Sequence, residues 1–347
     1  MEFVQTSSRK RETYQILIKY SLLWECALGI AAVTNTPLLS SLERTENDWR
    51  KLKQSLSGKM LDHLAEVEKN NTWNALLQLL HHKDFQSLSS FLQYIKDLAP
   101  EELKSICLPF LGDDLQDRVE AATKGEVYAI GELKAIVKDH SFFPSYIEFI
   151  CMAESDYIKN HLVEVMSGWY ETVIEPDADK LETILSTDYV SKTKMAKKMH
   201  PEEFVTWATG GINYLPEPSI HQVLLIPHFT YRPWNVEADL KGTKVFYYPV
   251  ANQSLDPTDK DMPDNSLILK YKALGDELRL RMIKMLAEGG LSLQEITERL
   301  DMGKSTVHHH LKILKSARLI SNKGTKYVLN GAILESLPIE LSSYLNK

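Results

Sequence analysis

Ser292-Leu-Gln-Glu-Ile-Thr-Glu-Arg-Leu-Asp-Met-Gly-Lys-Ser-Thr-Val-His-His-His-Leu-Lys-Ile-Leu-Lys-Ser316 decides the fold of this chain. Ser292 and Glu295 have the S-x-x-E spacing of a capping box, which starts a helix sharply. Leu293, Ile296 and Leu300 recur at helical spacing and form its inner face. Asp301-Met302-Gly303 reads as a tight turn. A second helix follows, with Val307, Leu311 and Leu314 turned inward. That leaves Lys304, Ser305, Thr306, His308, His309, Lys312 and Lys315 outward. Short hydroxyls and a long donor at the start of such a helix suit base edges, and later lysines suit phosphates. The expectation is a DNA-binding helix-turn-helix.

Working outward, Tyr271, Leu274, Leu278, Met282 or Ile283 and Leu286 repeat every three to four residues. They predict one helix or a broken pair, with Gly275-Asp276 as a break and a new N-cap. Gly289-Gly290 ends it. Beyond Arg318, Leu319-Ile320 and Lys326 to Leu329 are expected to pair around Asn322-Lys323-Gly324-Thr325. This wing would bring Lys323 and Lys326 to the DNA backbone. A final helix is expected to be short and interrupted by Pro338.

These residues resemble the ArsR/SmtB family of winged-helix bacterial repressors. Ala273-Leu274-Gly275-Asp276 with Leu278-Arg279-Leu280 is similar to its opening helix. Ser305-Thr306-Val307-His308-His309-His310-Leu311-Lys312 is close to its recognition pattern S-T-V-S-H-H-L-K. The likeness covers residues 267–330. It implies a homodimer on a two-fold operator, with recognition helices about 34 Å apart, often repressing until an effector intervenes. Metal-sensing members carry Cys-x-Cys at positions held here by Ser292 and Gln294. A second family site uses Asp, His and Glu on the last helix, and residues 331–347 contain neither His nor Asp. The expectation is a regulator that does not sense metal. Consecutive His308, His309 and His310 point about 100° apart on a helix and cannot chelate one ion; His310 is expected to be partly packed.

Composition bounds the rest. The chain has 347 residues, 44% apolar and 25% charged, and a net charge of −7. The charge is divided: residues 264–347 carry 13 Lys and Arg against 9 Asp and Glu, a net of +4, so residues 1–263 hold −11. A cationic module on an acidic body keeps its own attraction for DNA while limiting non-specific adhesion. Cys26, Cys107 and Cys151 form no CxxC pair and fit a reducing cytoplasm. Tyr20 to Val33 is too short for a membrane span and carries Glu25, so a buried helix is expected.

The predicted architecture is mainly α. Residues 1–250 form a helical sensor and dimerisation domain with strands near 220–250. Residues 251–266, polar and holding two prolines, form a linker. Residues 267–347 form the winged helix-turn-helix. Helices are expected over Leu42 to Glu68, Asp84 to Leu98, Glu154 to Val173 and Asp177 to Lys198, with Pro176 parting the last two. His221 to Pro227 and Lys244 to Val250 read as strands, and His228 to Trp234 as a third strand or a loop. Arg232-Pro233-Trp234 and Tyr248-Pro249-Val250 are similar to an uncharacterised N-terminal domain of long ArsR-like regulators from Gram-positive bacteria.

Tyr214, Phe229, Tyr231, Trp234, Phe246, Tyr247 and Tyr248 form either sheet core or an effector pocket. Arg232 either pairs with an acidic helix or binds an anion. His81-His82 is expected at the surface. Asp113-Asp114, Glu101-Glu102 and Glu202-Glu203 lack a catalytic setting, and no nucleotide-binding, hydrolase or zinc-protease motif is present. The expected partners are double-stranded DNA, a second copy, and a small-molecule or protein effector on the N-terminal domain; no membrane, cofactor or catalytic residue is expected. Two other readings stay open: an enzyme with a regulatory winged helix, and a winged helix that binds protein.

Overall fold

A computed structural model describes residues 13–256, 258, 259 and 261–345. The first twelve residues of the expected sensor domain, Pro257 and Lys260 of the expected linker, and the last two residues of the expected winged helix therefore lie outside the described residues. The chain divides into two compact units, one over residues 13–193 and 216–249, the other over 194–215 and 250–345. Residues 194–215 thus cluster with the C-terminal module. The polar stretch expected as a linker contains one helical turn, Asn252–Leu255.

The first unit is built around the helix Leu22–Thr34, in which every residue from Leu23 onward is buried. Its sequence has no polar face, so it can only lie inside. Ser21 caps it, accepting from the Leu23 N–H at 3.1 Å. Gly29 lets another helix come close: a Cβ there would meet Trp169 Nε1 at 2.7 Å. Glu25 is the one carboxylate in this run. It accepts from the backbone N–H groups of Phe229 and Thr230 at 2.8 and 2.7 Å, and from the Thr230 hydroxyl. Burial still raises its pKa, against the lowering by these hydrogen bonds. Helices Gly58–Asn70, Trp73–His82 and Ser155–Trp169 pack around this axis. Among the described residues, no helix is long and apolar enough to cross a membrane.

Four strands complete this unit in the order β1 (Gln15–Ile18), β2 (Gln222–His228), β4 (Thr243–Pro249), β3 (Val236–Leu240). β1, β2 and β4 run parallel and β3 is antiparallel to β4. Parallel strands covered on both faces read as continuous apolar runs. Val223 to His228 and Val245 to Tyr248 are accordingly buried without alternation.

Several expectations change here. Leu42 to Glu68 is two helices, Glu46–Ser55 and Gly58–Asn70, because the Ser57 side chain accepts from Met60 N and caps a new start. His228 to Trp234 is not a third strand: β2 ends at His228, a turn follows, and the strand lies beyond it at Val236–Leu240. β1 was not expected at all. Pro176 lies in a single 3-10 turn between Ser155–Trp169 with its π-helical end and Ala178–Ala196. His81 is not a surface residue: its ring bonds the Tyr247 hydroxyl, and burial with nearby Lys19 lowers its pKa to about 4. His82 is exposed, 2.6 Å from the Tyr94 hydroxyl. Phe246, Tyr247 and Tyr248 are sheet core. Arg232, 3% exposed, pairs with Glu43 at 2.8 Å.

Candidate nucleic-acid interface

In the second unit the helix Asn265–Leu274 ends at Gly275, and Asp276 caps Glu277–Glu288 by accepting from Arg279 N at 2.9 Å. That contact holds the Asp276 carboxyl below its usual range. Arg279 turns back to donate to the carbonyls of Ala273 and Lys272 at 2.7 and 3.0 Å, fixing the angle between the two helices. At Gly290, a Cβ would stand 2.9 Å from Val328 of the wing, so the chain passes where a side chain does not fit.

The expected capping box is present. Ser292 Oγ accepts from Glu295 N at 3.3 Å, and Glu295 Oε2 accepts from Ser292 N at 2.7 Å. These bonds lower the pKa of Glu295. Gln294 donates to Glu298 on the same helix at 2.9 Å. Both side chains are therefore occupied in building helix Leu293–Leu300. Among the described residues, no three of His, Cys, Asp and Glu gather in a metal-binding group.

Asp301 takes a left-handed conformation (φ 50°) and stops that helix. The second helix of the motif, Lys304–Ser316, starts after Gly303, and no side chain caps its first turn. Val307, Leu311 and Leu314 are buried on one side, at 0%, 1% and 0% exposure. Burying side chains of this size stabilises by about 1.5–3 kcal/mol each, which is what fixes the rotation of the helix. The other side carries Lys304, Ser305, Thr306, His308, His309, Lys312 and Lys315, all exposed. His310 differs: it is partly packed, with Nδ1 3.8 Å from an Asp276 oxygen.

The wing is β6 (Ile320–Lys323) and β7 (Lys326–Leu329), with β5 (Leu291–Ser292) on the far side of β7. Lys323 pairs directly with Lys326. The loop is therefore only Gly324-Thr325, shorter than the expected four residues. Gly324 has φ 61° at the first central position, the arrangement of a II′ hairpin turn that matches strand twist. Lys323 and Lys326 are exposed at its tip. The closing helix also departs from expectation. Gly331–Leu345 runs through Pro338 without interruption. Ile333 and Leu337 are buried and Leu341 packs beside them, which offsets the one backbone bond that proline removes.

Two cations escaped the sequence reading. Lys270 is 2% exposed and bonds both Glu340 oxygens at 2.8 and 2.7 Å, tying the opening helix to the closing one. Arg318 has φ 58°, and burial lowers its pKa to about 10 against the raising influence of Asp264. A lone basic residue in a basic module gives no sign that it points inward.

Residues 276–322 match the model described as bacterial regulatory protein, arsR family. Transcriptional repressor SdpR of Bacillus subtilis is 32% identical over 81 residues, 22% of this chain and 90% of that protein. HTH-type transcriptional regulator Rv2034 of Mycobacterium tuberculosis is 33% identical over 78 residues, 21% of this chain and 73% of that protein. No solved structure matches the chain. With a buried triad orienting the helix Lys304–Ser316 and matches spanning most of these short regulators, the chain belongs to the ArsR family of bacterial regulatory proteins, as a DNA-binding transcriptional regulator.

Proposed function

We propose that this protein is a homodimeric repressor that binds a two-fold operator through residues 267–347 and takes its signal through the body over residues 1–250. The observation that carries the reading is the division of the recognition helix into a buried face and an exposed, hydrogen-bonding and cationic one. Lys304, Ser305, Thr306, His308 and His309 read base edges. Lys312, Lys315, Lys323 and Lys326 meet phosphates. The early positions have the reach and the donors for the major groove, and the late lysines and the wing flank it.

Exposed apolar side chains support the dimer. Tyr271 on the opening helix and Ile339 and Leu345 on the closing helix are 42%, 72% and 69% exposed. The two helices pack on one another, so their outer sides form a surface that a second copy covers. Repression is what the name of SdpR states for that relative. The signal is a small molecule or a partner protein at the acidic body, not a metal at the recognition module, where Ser292 and Gln294 are occupied.

Selection of genomic fragments by the purified chain at low salt tests the reading. The expected product is a set of duplexes sharing an inverted repeat, with Thr306→Ala relaxing the preference inside each half. Enrichment of no duplex, or of single half-sites alone, would overturn it.

A further inference from the structure

Within the first unit, Lys19, Tyr20 and Ser21 join β1 to the helix Leu22–Thr34. Beside this turn opens a cleft of about 530 Å³. That volume suits a small organic molecule. It opens at the carboxyl end of β1, where the strand gives way to the helix.

The lining has a definite chemistry. Five aromatic rings, Tyr20, Trp24, Phe85, Tyr170 and Tyr189, come to it from four separate segments of chain. The rings of Tyr20 and Tyr189 stand 5.1 Å apart, inclined at 48°. Burial and the nearby Glu182 carboxylate together raise the pKa of Tyr20. Glu182 and Tyr189 are seven residues apart on Ala178–Ala196 and so share a face of that helix. Among the described residues no cation lies within ion-pair distance of Glu182. The other charges of the cleft are engaged: Lys19 pairs with Asp84 at 2.6 Å, and the Lys83 ammonium stands 5.9 Å from the centre of the Tyr94 ring.

We propose that this cleft binds a monovalent organic cation with an apolar or aromatic body, seated against Tyr20 and Tyr189 beside the Glu182 carboxylate. Aromatic faces carry negative potential and attract cations, most of all where water is displaced. An anion meets those same faces and a carboxylate, with the Lys19 ammonium already paired. A neutral molecule leaves Glu182 unused. The acidic body, −11 over residues 1–263, adds a field that draws cations toward the cleft. If the chain is the regulator proposed above, this cleft is its effector site; the binding itself stands without that reading.

The test is titration of the intact protein with tetraphenylphosphonium, followed by calorimetry and by the tryptophan fluorescence of the chain, to which Trp24 in the cleft contributes. The expected result is saturable binding of one cation per chain. Tetraphenylborate, of similar shape and opposite charge, is expected not to bind at the same concentrations. Glu182 is exposed, so Glu182→Gln leaves the fold intact; it is expected to weaken the cation at least tenfold. Tyr189→Leu should do the same and Tyr189→Phe should not. Absence of saturable phosphonium binding, equal binding of the borate, or an unchanged affinity in Glu182→Gln each overturns the proposal. Retardation of a selected duplex, with and without the cation, is measured separately. Failure to bind any duplex sinks the regulator reading and leaves the cleft result as it stands.

Discussion

Replacing Lys315 by Ala tests whether the last turn of the recognition helix lies on a phosphate. Four exposed lysines of each chain are assigned to phosphates: Lys312, Lys315, Lys323 and Lys326. A dimer presents about eight. If all of them displace counterions, the logarithm of affinity falls with the logarithm of salt at a slope of about −7. Between 50 and 200 mM salt that is a loss of roughly 10⁴-fold. Lys315→Ala removes two contacts per dimer, so the slope should shrink by about 1.8 and the loss over that range to roughly 10³-fold. The assay is fluorescence anisotropy on a selected duplex and on a scrambled one at four salt concentrations. Both duplexes should weaken together, because phosphates carry no sequence information. Lys51→Ala is the control, since it removes the same charge from an exposed position on Glu46–Ser55. An unchanged slope, or weakening confined to the selected duplex, would refute the docking.

Thr306→Ala should cost about 1–3 kcal/mol of discrimination at one base pair per half-site, read by competition between operator variants, and leave the salt slope alone. Glu340→Gln leaves the Lys270 ammonium buried beside a neutral partner. The expected destabilisation is about 3 kcal/mol, the low end for a broken buried pair because Glu340 is 29% exposed. Lys270→Met with Glu340→Leu should recover most of it in urea unfolding. His81 and His161 both have pKa values lowered to about 4, mainly by burial. Their stabilising contribution is therefore complete above the unfolded value near 6.5 and is lost as pH falls from there toward 4. Two protons taken up on unfolding give a slope of at most about 2.7 kcal/mol per pH unit in that window, and His81→Gln should roughly halve it. A flat profile between pH 6.5 and 5 would contradict the burial of both rings.

What could be read in the sequence was local. The capping box of Ser292 and Glu295, the stop at Gly289-Gly290 and the triad Val307, Leu311 and Leu314 each lie within one helical turn or two. Their signals do not depend on distant residues. β1 was illegible because four residues are too few to show a period, and its partner Gln222 pairs with Gln15 across most of the chain. His81 looked like surface because its bond is to Tyr247, 166 residues away. The break at Ser57 was masked by apolar spacing that continues through Leu56 and Met60. At Pro338, packing of Ile333, Leu337 and Leu341 overrode a residue that ordinarily ends a helix. The cleft was the hardest to foresee, since its rings come from four segments that only the fold assembles.

The parallel pairing of β1 with β2 has a consequence for synthesis of the chain. The edge strand leaves the ribosome first, and its partner follows after about two hundred residues more, roughly ten to forty seconds at ordinary elongation rates. Through that interval the backbone donors and acceptors of residues 15–18 have no ladder to join. The helices between them make nearer contacts and can form first. A polypeptide stopped before residue 222 carries the helical body with an unpaired strand at its head, a template for aggregation. Nascent-chain lengths on either side of residue 228 should therefore differ in protease resistance near the N-terminus.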